Sequence, residues 1–151
     1  MDFLIRKAVN EDAVAVSRVV ISALRESNAQ DYSPEIVDRV EQSFSPVAIR
    51  HLLTLRQVYV ATIDNRVVAT ASLDRDVVRS VFVDPAYQGG GIGKQLMTAI
   101  QSCAVNEGVK LLRVPSSITA EGFYSSLGFK KVRDEFHEAE RTIIMEKSLG
   151  Q

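Results

Sequence analysis

Apolar residues along this chain follow two periods, and the places where one gives way to the other mark its elements. Phe3–Val9 is a short apolar-rich stretch that reads as a strand. Asn10 can cap a helix behind it, with Glu11 and Asp12 in the first turn, where acids are favoured. Ala13, Val16, Val20 and Leu24 then stand three or four apart and give that helix one apolar face. Ile36, Val37, Val40 and Phe44 mark a second short helix behind Pro34, a good first-turn residue. Ser45-Pro46 restarts a third, through Val47 and Ile49 to Leu52, Leu53 and Leu55. From there the pattern turns to β. Val58–Ile63 and Val67–Leu73 are predicted strands separated by the hairpin signal Asp64-Asn65-Arg66, and Val77–Val83 is the next. Helical spacing returns at Ile92, Leu96, Ala99, Ile100 and Cys103, and that helix stops at Gly108. A strand over Val109–Val114 is broken by Pro115, and Thr119 can cap a short helix, Ala120–Leu127, that ends at Gly128. Phe129–Phe136 and Arg141–Lys147 form a closing hairpin. Strands dominate the middle, and two late helices flank a mixed sheet.

Composition narrows the class. A length of 151 residues is most simply one domain over residues 1–151, large enough to bury a core without staples. The apolar fraction of 46% and charged fraction of 25% are ordinary for a soluble globular protein. A net charge of −1 gives no global basic field for nucleic acid. The single cysteine, Cys103, excludes an intramolecular disulfide, fits a reducing compartment and belongs with the core. No apolar run approaches the ~18–20 residues of a membrane span. Met1–Lys7 lacks the basic-then-apolar pattern of a signal peptide. The expectation is a cytoplasmic protein with neither nucleic acid nor membrane as partner. His51 and His137 show no ligand spacing, so no metal is expected.

The stretch Val81-Phe82-Val83-Asp84-Pro85-Ala86-Tyr87-Gln88-Gly89-Gly90-Gly91-Ile92-Gly93-Lys94 is a strand that ends in a glycine turn and opens a helix. A helix N-terminus presents unpaired N–H groups and roughly half a positive charge. Glycines remove the Cβ atoms that would hold a ligand away. A phosphate-bearing ligand at residues 88–94 follows. A P-loop needs G-x-x-x-x-G-K-[ST], but Gln88 stands at the first glycine and Gln95 at the hydroxyl. A dinucleotide fingerprint needs G-x-G-x-x-G, and its third glycine falls on Lys94 or Leu96.

Gln88-Gly89-Gly90-Gly91-Ile92-Gly93 matches [Q/R]-x-x-G-x-[G/A] straight after an L/V-x-V-x-P strand end. It resembles the coenzyme A site of the GNAT N-acetyltransferases. A second signature of that family, A-x-x-F-Y-x-x-L-G-F, stands in Ala120-Glu121-Gly122-Phe123-Tyr124-Ser125-Ser126-Leu127-Gly128-Phe129, and the element order matches over essentially the full chain. The resemblance implies an α/β (α+β) acyl-CoA N-acyltransferase fold, with a mixed, mostly antiparallel central sheet of about seven strands flanked by helices. It also implies transfer of an acetyl group from acetyl-CoA to an amine. Backbone N–H groups of Gly89, Gly90, Gly91, Ile92, Gly93 and Lys94, with Gln88, would hold the pyrophosphate. The edge at Val81, Phe82 and Val83 would pair with the pantetheine amides, as though the cofactor added a strand. The N–H of Phe82 or Val83 would face the thioester carbonyl. Tyr124 matches the family tyrosine that protonates the leaving thiolate.

Two positions depart from the family pattern. Val77 stands where members often carry a glutamate base, which leaves a water chain through Ser80 or a carboxylate from Ser27–Glu41. Ser116 or Ser117 would replace an asparagine that bonds the pantetheine arm. The resemblance places the acceptor site between the first helices and the last hairpin, where Asp134, Glu135, Glu138 and Glu140 are acidic and Asp31, Tyr32 and Glu35 lead into the second helix. Such acids would favour a cationic amine, small molecule or peptide. Homodimer formation is left open. A rival reading, a CoA-binding sensor without turnover, is favoured by Val77 and opposed by Tyr124.

Overall fold

In the computed structural model of the protein, residues 2–28, 32–138 and 140–150 are described. β1 (Leu4–Lys7) leads into a 3₁₀ turn, Asn10–Asp12, and then α1 (Ala13–Ala23), which loosens into a π turn over Leu24–Asn28. Asn10 does not cap this helix as expected. Asp12 folds back instead: its Oδ2 accepts the Val9 N–H at 2.8 Å, and its two oxygens take Arg6 at 2.8 and 3.0 Å. A two-point charged pair outcompetes a single neutral cap. α2 (Pro34–Gln42) and α3 (Pro46–Leu55) begin as the Ser-Pro pairs predict. Ser33 Oγ accepts from Ile36 N–H and Ser45 Oγ from Ala48 N–H, each with proline in the first turn.

The remaining strands are β2 (Gln57–Ile63), β3 (Arg66–Asp74), β4 (Val77–Val83), β5 (Leu111–Ser116), β6 (Lys130–His137) and β7 (Glu140–Ser148). Asp64 and Asn65 both take positive φ, 50° and 66°, which closes the β2–β3 hairpin in the twist that two-residue loops require. The sheet order is β1-β2-β3-β4-β5-β7-β6, antiparallel except for β4–β5. α4 (Ile92–Asn106) buries Leu96, Met97 and Ile100 against one face, with Cys103 packed at its margin. α5 (Glu121–Ser126) adds Tyr124 on that side, while Val16, Val19 and Val20 of α1 cover the other face with Ile49 and Val37. The seven strands and flanking helices are the architecture expected.

Pro115 corrects one boundary. It does not break the strand; it pairs with Ile144 inside β5. Arg113 N–H points toward β4, bonding Asp76 O at 2.9 Å. Two residues on, Pro115 faces the same way, but β4 has already parted from β5 there, after the single pair Val77↔Arg113. A proline is tolerated where its missing N–H has no partner to lose.

Arg6 holds the Asp12 carboxyl below its usual range, and burial opposes the shift. Its stabilising effect is full above the unfolded value, near ~3.9, and fades as pH falls through the lower folded value. Asp12→Asn is expected to cost about 1–3 kcal/mol at neutral pH. It should also flatten the acid limb of stability measured by urea unfolding between pH 2 and pH 7.

Candidate active site

Gly89 and Gly91 carry φ of +84° and +81°, a left-handed conformation that a Cβ disfavours. Gly91 is the residue before α4, and the first helical bond runs from Gln95 N–H to its carbonyl at 3.1 Å. The N–H groups of Ile92, Gly93 and Lys94 therefore have no partner within the helix. Gly93 serves packing: a Cβ there would meet Phe123 Cζ at 3.3 Å and Val83 Cγ2 at 3.5 Å. This contact brings the first turn of α4 against both β4 and α5. Between them lies a cleft of about 490 Å³, lined by Val81–Val83, Gln88, Gly89, Gly91–Lys94 and Tyr124. Gly90 is exposed and does not line it.

β4 presents an open edge to this cleft. Asp84 N–H bonds Val68 O at 2.8 Å, toward β3, so the Val83 N–H points the opposite way, into the gap. The Val83 carbonyl accepts from Gln88 Nε2 at 3.2 Å, which ties the glycine turn to the strand. Tyr124 is 4% exposed, with its ring edge-on to Phe123 and Phe129 at 5.2 and 5.7 Å. Burial pushes its phenol well above the ordinary value, so it is a proton donor and not a phenolate.

A second cleft, of about 320 Å³, opens on the other side of β4, and Phe82 lines both. Its walls come from α2, β4, the β5 end and β7. Tyr32 joins them: its hydroxyl accepts from Ile118 N–H at 2.6 Å and donates to the Arg141 carbonyl at 3.4 Å. β4 carries a bulge here, since Ser72 pairs with Arg79 and Thr70 with Phe82. Ser80, in the bulge, has φ 57°. Ser72 Oγ donates to the Arg79 carbonyl at 2.7 Å, and Arg56 Nη1 donates to Ser80 Oγ at 3.2 Å.

A model of the family described as an acetyltransferase (GNAT) domain matches residues 28–149. The chain belongs to the GNAT acetyltransferases. No curated protein matches it. Among solved structures, a GCN5-related N-acetyltransferase from Rhodopseudomonas palustris superimposes with a TM-score of 0.92 at 23% identity, over 98% of this chain and 96% of that one. PaiA N-acetyltransferase from Thermoplasma acidophilum, in complex with coenzyme A, gives 0.83 at 20% identity over 98% and 99%. YncA from Salmonella typhimurium, with its cofactor acetyl-CoA, gives 0.68 at 23% over 99% and 95%. At these identities the likeness is one of fold.

Not every residue read from the GNAT motifs meets in one place. Ser116 and Ser117 line the second cleft, away from the glycine turn, and both hydroxyls are engaged locally. Ser116 Oγ donates to Ser117 O at 2.8 Å, and Ser117 Oγ accepts from Ala120 N–H at 3.2 Å, at the entry of α5 where Thr119 was the expected cap. Val77 lines neither cleft. The acidic hairpin is largely paired: Asp134 with Lys131 and Arg141, Glu135 with Arg133, Glu138 with Arg39. Glu140 alone of that group lines the second cleft. Glu41 is taken by Arg25 at 2.6 Å, and Asp31 lies outside the described residues. Arg56 and Arg79 were not singled out by sequence; no local motif marks them, and only the bulge brings them to the cleft. Among the described residues, no group of three or more His, Cys, Asp or Glu is placed to hold a metal ion.

The glycines should separate on substitution. Gly91→Ala is expected to lower stability by about 1 kcal/mol through its left-handed φ. Gly90→Ala, with nothing nearer than Tyr87 O at 3.8 Å, should leave it unchanged or slightly raised. Paired denaturant curves check both.

Proposed function

We propose that this protein is an N-acetyltransferase that uses acetyl-CoA and transfers the acetyl group to a primary amine by direct attack on the thioester. The observation that carries the reading is one cleft that joins three things: an unpaired helix start, an open strand edge and a buried phenol. The N–H groups of Ile92, Gly93 and Lys94 suit a pyrophosphate, because they converge at the positive end of α4. The β4 edge suits an amide-bearing arm that adds as a strand would. The complexes of PaiA with coenzyme A and of YncA with acetyl-CoA, on the same fold, support the assignment of the ligand.

Each residue then has a role in order along the cleft. Val83 N–H donates toward the thioester carbonyl oxygen, where negative charge develops as the amine attacks. Tyr124, neutral and desolvated, gives a proton or a hydrogen bond to the departing sulfur. The amine reaches the carbonyl from the second cleft, past Phe82. It must attack as a free base, since the ammonium has no lone pair. Glu140 is the carboxylate on that side that can receive its proton, directly or through a water that the Ser80 hydroxyl positions.

Calorimetry with acetyl-CoA followed by a thiol-release assay over a panel of amines tests the reading. Binding without thiol release above slow hydrolysis would indicate a CoA sensor instead. Tyr124→Phe is expected to keep acetyl-CoA affinity and to lower kcat by about 10²-fold or more. Unchanged turnover would remove Tyr124 from the mechanism. Because burial raises the phenol above ~10, wild-type kcat should show no falling limb from this group between pH 7 and pH 10.

A further inference from the structure

We propose that the acceptor is a small amine that also bears a carboxylate, an amino-acid-like zwitterion with an apolar body, and that Arg56 and Arg79 hold its carboxylate in the second cleft. The inference rests on the acetyltransferase reading and extends it to the acceptor.

Arg56 stands at the end of α3 and reaches Ser80 Oγ across the bulge. It is half-buried, and among the described residues no carboxylate lies within ion-pair distance of it. Burial and the neighbouring Arg79 both act against its charge, and Asp74 offsets them last and least. A guanidinium remains charged in proteins, so this one carries a desolvated charge with one hydroxyl as its partner. Arg79 beside it lies 3.6 Å from Asp74. Asp74 is shared between Arg79 and the exposed Arg75, at 3.9 Å, so Arg56 is the guanidinium of the group with no carboxylate in ion-pair distance among the described residues, and its single charge matches a monoanion. A planar donor fork fits a carboxylate at two points.

The opposite charge is present as well. Glu140 lines the same cleft and has no ion pair among the described residues. It can meet an ammonium before that group loses its proton. Ile36, Val37, Val40, Phe44 and Phe82 supply apolar wall. A cleft of about 320 Å³ suits a small molecule. A polyamine would set a second cation against the two arginines, so the acidic hairpin does not decide the acceptor. In the transfer the amine nitrogen bonds the acetyl carbon, the carbon–sulfur bond breaks, and the proton lost by nitrogen is balanced by the one gained by sulfur.

Matched amine pairs test this: L-leucine against isopentylamine, and L-phenylalanine against phenethylamine, with spermidine as the cationic arm. The carboxylated member is expected to have the higher kcat/KM by about tenfold or more, carried by KM. Arg56→Gln, which keeps a donor for Ser80, should remove that ratio while acetyl-CoA affinity holds; Arg56→Lys should restore part of it. Calorimetry with N-acetyl-L-leucine and its amide reads the same preference without turnover. Equal use of both members, preference for spermidine, or a ratio that survives Arg56→Gln in protein that binds acetyl-CoA would overturn the proposal. A carboxylate preference in binding without thiol release would uphold the site and sink the acetyltransferase reading. Thiol release with the uncarboxylated amines and no recognition of any carboxylated member would do the reverse.

Discussion

β4 and β5 share the single Cα pair Val77↔Arg113 and then separate, in the interior of a seven-stranded sheet. Backbone N–H and C=O groups need partners wherever water is excluded, so such a gap is costly unless something occupies or relieves it. The sequence relieves it from both sides. On β5, Pro115 sits where an N–H would have faced the gap and has none to leave unpaired. On β4, Gln88 returns from the glycine turn to donate to the Val83 carbonyl. The Val83 N–H is left facing the opening, and the two clefts meet beside it at Phe82.

The bulge in β4 follows from the same constraint. One extra residue between Arg79 and Phe82 re-aims the strand as it leaves β5, and Ser80 absorbs the turn at a positive φ. A non-glycine residue in that region is strained by about 1–2 kcal/mol. Two side-chain bonds hold it, one from Ser72 to the Arg79 carbonyl and one from Arg56 to Ser80. The second comes from a desolvated guanidinium, which is itself unfavourable. Strain and a half-buried charge without a carboxylate partner among the described residues are seldom kept in contact for stability alone, and they stand beside the clefts.

Much of this was legible because it is local. Val77–Val83 is a strand with the predicted ends, Ser-Pro starts two helices, and Gly108 and Gly128 end two others at φ of 84° and 96°. The glycine turn and Tyr124 came together as their motifs imply, since each motif is a short run whose spacing sets its own geometry. What local pattern could not show depends on distant partners. Asn10 loses its capping role to an Arg6–Asp12 pair that forms across the 3₁₀ turn. Pro115 reads as a breaker until the parting of β4 is known. The hairpin acids read as a cluster, but Lys131, Arg133, Arg141 and Arg39 pair with all of them except Glu140. Arg56 meets Ser80 across twenty-four residues, a contact no periodicity records.

Strand alternation explains why one strand can line two clefts. Val81 and Val83 pack with the α4 and α5 side of the sheet, and Phe82 packs with the α1 side, where it meets Phe44 edge-on at 5.7 Å. In a strand, neighbouring side chains must go to opposite faces, so any strand offers two surfaces a residue apart. What is unusual here is that the strand edge is also open, so a group lying along it can be approached from the second face. On the proposed reading the glycine turn would fix a ligand on the first face through backbone charge, which is indifferent to side-chain identity. The second face is lined by side chains: Arg56, Arg79 and Glu140, with apolar walls between them. Backbone recognition suits the half of a reaction that a family holds in common. Side-chain recognition suits the half that differs from member to member, and among the described residues of this cleft the charges pair a cation-bearing wall with one acid, Glu140.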